Sequence, residues 1–402
     1  LYLAGEGLAA LYLNAGATAP GQLRRADGLG LPKVADSRAA IFWDLNADGT
    51  DELIIIRNLH DSLVLSWDGA TFSQSTLPTG RGAHSATVLD VDGDGLSEIL
   101  VGTYGNGDCH QGRCLDGDLP SLDGRNGSPN RLFKKTGESW VDVAPQYGLD
   151  DTGWALAMMT ADLSGDGKLD VYIANDFGPN VLALREGDRF VDHAARFRVD
   201  DRGSGMNVSL ADVNADSRWD ILVTNIDMFS KNIKIVYPDD ESLVGIGDRV
   251  MRSFQYLSGT QLYVSGGDGW AQEAATRFEP GDQGWGWGAL FFDADHDADE
   301  DVYMANGWID TSYAANQKNL LFINDEGRFF RKDDGPESFA GNSRSVVAVD
   351  LDRDGDLDLV ANNYRQPPRI FRNDRSAGNW IQLDIRPRQP GTVVEITAGP
   401  LK

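Results

Sequence analysis

Six segments of the chain repeat one nine-residue pattern, with oxygen-bearing side chains at positions 1, 3, 5 and 9. They are DLNADGTDE (Asp44–Glu52), DVDGDGLSE (Asp90–Glu98), DLSGDGKLD (Asp162–Asp170), DVNADSRWD (Asp212–Asp220), DADHDADED (Asp293–Asp301) and DLDRDGDLD (Asp350–Asp358). Alternate residues of a tight loop point inward together, so four oxygen groups converge on one point. The expected ligands are Asp44, Asn46, Asp48 and Glu52 in the first loop and Asp90, Asp92, Asp94 and Glu98 in the second. Asp162, Ser164, Asp166 and Asp170 serve the third, and Asp212, Asn214, Asp216 and Asp220 the fourth. Asp293, Asp295, Asp297 and Asp301 serve the fifth, and Asp350, Asp352, Asp354 and Asp358 the sixth. Position 7 adds a backbone carbonyl, from Thr50, Leu96, Lys168, Arg218, Asp299 and Asp356. An all-oxygen, carboxylate-rich set without Cys or His suits a hard cation, and Ca2+ above Mg2+ because the ligands are many and flexible. Up to six Ca2+ ions are expected. The loops at Asp90, Asp293 and Asp350 carry four carboxylates each and are the strongest candidates. Ser164 weakens the third loop. Ser217 replaces Gly in the fourth, the loop expected to stay empty.

A solvated turn is the plain alternative, since Asp, Asn and Gly favour turns. Six copies in phase, each between apolar runs, argue against it. Position 12 is apolar in all six (Ile55, Val101, Ile173, Val223, Met304, Ala361), unlike the Glu that closes an EF-hand. The flanking runs, such as Ile41-Phe42-Trp43 and Leu53-Ile54-Ile55-Ile56, read as buried strands. Each loop is therefore a hairpin tip. A second phrase, an apolar pair followed by a polar turn and an aromatic, lies between the loops: LVLSWDGATF, RLFKKTGESW, VLALREGDRF, QLYVSGGDGW and LLFINDEGRFF. It reads as another hairpin. Asn175, Asn225, Asn306 and Asn363 each stand thirteen residues after a loop start and are expected to cap the turn between the two hairpins.

Loop starts are separated by 46, 72, 50, 81 and 57 residues. Four strands per repeat at that spacing define an all-β chain built as a β-propeller. Seven four-stranded blades are expected, the last completed by both termini through Leu1-Tyr2-Leu3, Trp380–Leu383 and Val393–Ile396; six or eight remain compatible. The propeller is expected over 1–385, with insertions near 106–130 and 227–258, and a shortened tail over 386–402. The apolar N-terminal strands either close the last blade or add to a neighbouring copy, which would build a filament.

Net charge is −26, and loop carboxylates make up about a third of the 62 acidic residues, so the metal-free chain repels itself. Nothing resembles a basic groove, so nucleic acid is excluded as a partner. No apolar run is long enough to span a membrane, and membrane insertion is not expected. Cys109 and Cys114, in GDCHQGRC, are expected to form a small disulfide loop; a metal or redox site using His110 is the weaker reading. No Gly-x-Ser-x-Gly, His-Glu-x-x-His, phosphate-loop or dinucleotide motif occurs, so the chain is expected not to be an enzyme. His60, His84 and His193 are isolated, and His296 should point outward from its loop. Trp285 and Trp287, in QGWGWG, suit core packing better than stacking on sugars.

DLDRDGDLDLVANN and DADHDADEDVYMANG resemble the FG-GAP/VCBS repeats, which include those of the integrin α propeller. GWGWGALFFDADHD and the run DLDRDGDLDLVANNYRQPPRIFRNDRSAGNWIQLDI resemble the ASPIC/UnbV branch, to which cartilage acidic protein belongs. The resemblance covers nearly the whole chain. It implies a calcium-loaded propeller, extracellular or at the cell surface, with the ligands on the six loops. The expected export signal is not in this sequence. The expected function is a structural or adhesive module that binds proteins or its own copies. A lectin-like propeller that binds glycans is the alternative, and a polysaccharide-acting enzyme a more distant one.

Overall fold

The short apolar runs on either side of each acidic phrase form antiparallel strands, and the phrase forms the tight connection between them. The computed structural model describes residues 2–3, 10–14, 22–105, 123–226, 259–279 except 268, 283–307, 317–332, 335, 339–375, 381, 383, 385–386, 390–392 and 394. Cys109 and Cys114 lie outside the described residues.

Tyr2–Leu3 (β1), Ala10–Asn14 (β2) and Leu23–Arg25 (β3) pair with one another in a three-stranded sheet. The first blade contains Ser37–Trp43 (β4), Glu52–Arg57 (β5), Ser62–Trp67 (β6) and Phe72–Leu77 (β7). The second contains Ala83–Leu89 (β8), Glu98–Thr103 (β9), Arg131–Thr136 (β10) and Ser139–Asp142 (β11). The third contains Ala155–Ala161 (β12), Asp170–Asn175 (β13), Val181–Glu186 (β14) and Arg189–Asp192 (β15). The fourth contains Asn207–Ala211 (β16), Asp220–Thr224 (β17), Gln261–Gly266 (β18) and Gly269–Gln272 (β19). The fifth contains Gly286–Phe292 (β20), Asp301–Asn306 (β21), Leu320–Asp325 (β22) and Arg328–Lys332 (β23). The sixth contains Ser343–Val349 (β24), Asp358–Asn363 (β25) and Arg369–Phe371 (β26). Single helical turns follow the fourth strand of three blades, at Ala144–Tyr147 (α1), Ala194–Phe197 (α2) and Ala274–Arg277 (α3).

First strands of successive blades face one another, from β4 and β8 through to β20 and β24, so they form the inner wall. Second strands carry the core. Strands β9, β13 and β21 are buried along their whole length, which explains why their sequences are continuous apolar runs rather than alternating ones. The apolar clusters are interfaces between blades: Leu89, Leu100 and Leu132 of the second pack on Val171, Ile173 and Phe190 of the third. Burying each such side chain contributes about 1.5–3 kcal/mol.

The blade number differs from the sequence expectation: among the described residues there are six, not seven. Six blades carry the six acidic loops. Among the described residues the N-terminal strands form their own short three-stranded sheet without an acidic loop. That sheet touches both ends of the ring: Asn14 Nδ2 donates to Leu351 O at 2.5 Å, and Tyr2 packs with Leu53 and Leu65. Of the residues expected in C-terminal strands, Ile381, Leu383 and Val394 are not in strands, and Trp380, Gln382, Val393, Glu395 and Ile396 lie outside the described residues.

Candidate metal centres in the acidic loops

All six loops share one backbone conformation. Positions 4 and 6 have positive φ throughout: Ala47 and Gly49, Gly93 and Gly95, Gly165 and Gly167, Ala215 and Ser217, His296 and Ala298, Arg353 and Gly355. Side-chain carboxylates template it. The Asp at position 1 accepts from backbone N–H groups across the turn, as Asp162 does from Gly165, Asp166 and Gly167 at 2.7–3.0 Å. The Asp at position 5 accepts from the N–H of position 7 in every loop, as Asp297 does from Asp299 at 3.1 Å.

Non-glycine residues in this region carry a cost of about 1–2 kcal/mol each, part of which glycine's own chain entropy offsets. Ser217, with φ 64°, and Ala298, with φ 71°, both stand where other loops have Gly. We expect Ser217→Gly and Ala298→Gly each to stabilise the fold by about 0.5–1 kcal/mol, read as an upward shift in thermal midpoint. A downward shift would show that the loops do not keep this backbone in solution.

Position 9 has a second role that sequence reasoning missed. Its carboxylate is buried in all six loops. One oxygen accepts from the start of its own loop: Leu45 to Glu52, Val91 to Glu98, Ser164 to Asp170, Val213 to Asp220, Ala294 to Asp301 and Leu351 to Asp358, all at 2.8–3.0 Å. In the four loops with Asp there, the other oxygen accepts from the third strand or the residues after it: Arg185, Ser265, Asn324 and Asn373, at 2.6–2.9 Å. Position 9 therefore ties the loop to the blade whether or not it also meets an ion.

The remaining oxygens decide where a cation could sit. Carboxylate oxygens of Asp90, Asp92 and Asp94, of Asp293, Asp295 and Asp297, and of Asp350, Asp352 and Asp354 cluster within 4.8 Å of one another. In the fifth and sixth loops, buried oxygens of Asp295, Asp299, Asp352 and Asp356 have no hydrogen-bond partner. Arg375 meets the other oxygen of Asp295 at 3.1 Å, and Arg372 that of Asp352 at 2.9 Å. In the second loop Lys134 Nζ contacts Asp92, Asp94 and Glu98. In the fourth, Ser265 Oγ donates to Asp216 at 3.1 Å. The donor sets of the fifth and sixth loops thus fit a hard cation best. His296 is not turned fully outward, because its Nε2 is buried.

Burial, with the crowding of neighbouring carboxylates, holds Asp299 up to about 6, and Asp301 and Asp356 up to about 7. Such a carboxyl binds more protons folded than unfolded between its ordinary value near ~4 and the raised one, so metal-free stability falls as pH rises through that window. We expect the chelated protein to melt higher at about pH 5 than at about pH 8. Calcium should narrow or reverse the difference, since it binds the ionised form. A chelated protein more stable at the higher pH would contradict this.

The four asparagines cap as expected. Asn175, Asn225, Asn306 and Asn363 donate from Nδ2 to the carbonyls of Pro179, Gly259, Lys318 and Pro367 at 2.8–3.0 Å. A second row was missed: Asn130, Asn180 and Asn319 accept from the N–H groups of Thr103, Asn175 and Asn306. Its signal was the Asn directly before the phrases RLF, VLA and LLF.

At the opposite end of the blades, the inner strands of five blades skip one residue in their register: Arg38, His84, Leu156, Trp287 and Arg344. Such bulges re-aim side chains. His84 is half-buried, with its ring 5.5 Å from that of Tyr104, whose hydroxyl donates to Asp176 at 2.7 Å. Burial and the nearby Arg38 push His84 down to about 3, and burial pushes Asp176 up to about 6. Trp285 and Trp287 stack at 6.2 Å and pack with Leu156, Met206 and Ile226, and the Arg344 guanidinium covers the Trp287 ring at 4.3 Å. His60 meets Asp36 at 3.0 Å, and His193 meets Glu186 at 2.8 Å.

An FG-GAP-like repeat matches residues 44–101, 162–223 and 303–361. The chain carries FG-GAP-like repeats in these three stretches, each containing or ending on an acidic loop. The match names the repeat, not the ASPIC/UnbV or integrin branches. No curated protein sequence matches the chain. Among solved structures, it is similar to Trypanosoma rangeli sialidase in complex with the inhibitor DANA, at 14% identity and a TM-score of 0.43, covering 90% of this chain and 57% of that one. A mutant of that sialidase displaying trans-sialidase activity gives 13% identity and a TM-score of 0.42, covering 90% and 56%. The V. cholerae biofilm matrix protein Bap1 gives 15% identity and a TM-score of 0.34, covering 69% and 34%. The chain thus spans 57% of the length of the first of these. The expectation that the chain is not an enzyme is corrected here. Propellers to which it is similar include sialidases, so missing enzyme motifs do not make it a non-enzyme. A likeness at this level assigns no activity.

Proposed function

We propose that this chain is a calcium-stabilised, extracellular β-propeller serving as a structural or adhesive module that binds proteins or further copies of itself. One observation carries the calcium part: the buried, unpartnered oxygens of Asp295, Asp299, Asp352 and Asp356. A buried carboxylate oxygen without a donor is costly, and a divalent cation is the partner that an all-oxygen cage offers it. FG-GAP repeats are typical of extracellular proteins, and among the described residues no helix is long and apolar enough to cross a membrane. The interaction part draws support from the repeat scaffold. The long connections β9–β10 and β17–β18 leave the end opposite the acidic loops, the end of a repeat array that often binds. A glycan-binding reading has less support, because Arg344 already covers the Trp287 face.

The test combines sizing with capture. Light scattering with calcium and with chelator, and capture on extracellular-protein and glycan arrays, should give calcium-dependent assembly or protein capture. A chain that stays monomeric with calcium and captures glycans alone would overturn the protein-interaction reading.

A further inference from the structure

The six loops differ in what faces them from the third strand. One residue beyond the last paired position of each blade stand Ser66, Lys134, Leu184, Val264, Ile323 and Arg372. Lys134 Nζ lies against Asp92 Oδ2, 2.8 Å from Asp94 Oδ2 and 3.2 Å from Glu98 Oε1. These are positions 3, 5 and 9, the carboxylates a bound ion would share. An ammonium has three donors and no acceptor, so three carboxylates satisfy it completely. Glu98 makes this reach possible: its extra methylene brings Oε1 to the lysine while Oε2 still accepts from Val91 at 2.9 Å. The Glu98 side chain is 2% exposed and that of Lys134 24%, so the pairing is shielded from water on one side.

Arg372 is not equivalent. Among loop carboxylates it meets Asp352, at 2.9 Å; it also turns to Asp374, and its side chain is 59% exposed. Its loop keeps unpartnered buried oxygens, whereas Asp92, Asp94 and Glu98 have none.

We propose that Lys134 is the resident cation of the Asp90 loop, so that this loop takes no calcium despite its full set of carboxylates. The inference rests on the calcium reading of the other loops.

Calcium bound per chain, measured by equilibrium dialysis and atomic emission, tests it with wild type, Lys134→Gln and Asp92→Asn. One more ion in Lys134→Gln than in wild type is expected, with no change in Asp92→Asn. An unchanged count in Lys134→Gln, or one ion fewer in Asp92→Asn, would overturn it. A melt in excess chelator gives a second reading. Lys134→Gln should melt several degrees below wild type, because three carboxylates lose the ammonium they share; equal midpoints would overturn the proposal. If neither wild type nor the variants bind calcium, the calcium reading of the other loops fails, and the chelator melt still decides the role of Lys134.

Discussion

Removing calcium is expected to lower the thermal midpoint by on the order of ten degrees. A site filled to a hundredfold over its dissociation constant contributes about 2.7 kcal/mol, so three filled loops would contribute about 8 kcal/mol, within the whole stability range of a typical domain. Chelation also returns the charge. With a net charge of −26 and clustered carboxylates, the bare loops repel one another's ligands. Melts in millimolar calcium and in chelator should therefore separate widely, and magnesium should restore only part of the difference, because it demands tighter octahedral geometry. Coincident melts would remove calcium from the structural explanation.

Asp301→Ala is expected to destabilise the fold by about 3–5 kcal/mol, and to do so in chelator as well as in calcium. Asp301 accepts from Ala294 at 2.8 Å and from Asn324 at 2.8 Å, and truncation leaves both N–H groups without an acceptor in a buried place. Asp295→Ala is the contrast. Asp295 stands at position 3 with a buried oxygen that meets no donor, so its loss should matter in calcium and matter little in chelator. Denaturant unfolding of both variants under both conditions checks this. If Asp301→Ala unfolds with wild type in chelator, position 9 is not the strut that its hydrogen bonds indicate.

Much of the fold was legible because each repeat is locally specified. The nine-residue phrase marks a hairpin whose backbone is held by its own side chains. The flanking runs show which strands are buried, and Asn175, Asn225, Asn306 and Asn363 mark the turns. The blade number was not legible, because it depends on which partners the terminal strands choose. Tyr2–Leu3 pairs with residues of β2, a choice of partner that apolarity alone leaves open. The double role of position 9 was hidden for the same reason: Asn324 meets Asp301 only after the third strand is in register, and Lys134 meets Asp94 across forty residues of chain. The small helices after the fourth strands fall in DVAPQYGL, DHAARFRV and EAATRF, and each is a single turn, too short for a helical period to mark. The polar constellation around His84, Tyr104 and Asp176 left no signal, because bulges rather than spacing bring it together.

The most direct measurement is the number of calcium ions bound per chain at millimolar free calcium, for the wild type and for a variant carrying both Asp295→Ala and Asp352→Ala. At least two ions are expected on the wild type, falling by two in the double variant, because the fifth and sixth loops hold the unpartnered buried oxygens. A wild-type chain that binds fewer than one ion, or a double variant that binds as many as the wild type, would contradict the assignment of these loops as calcium sites.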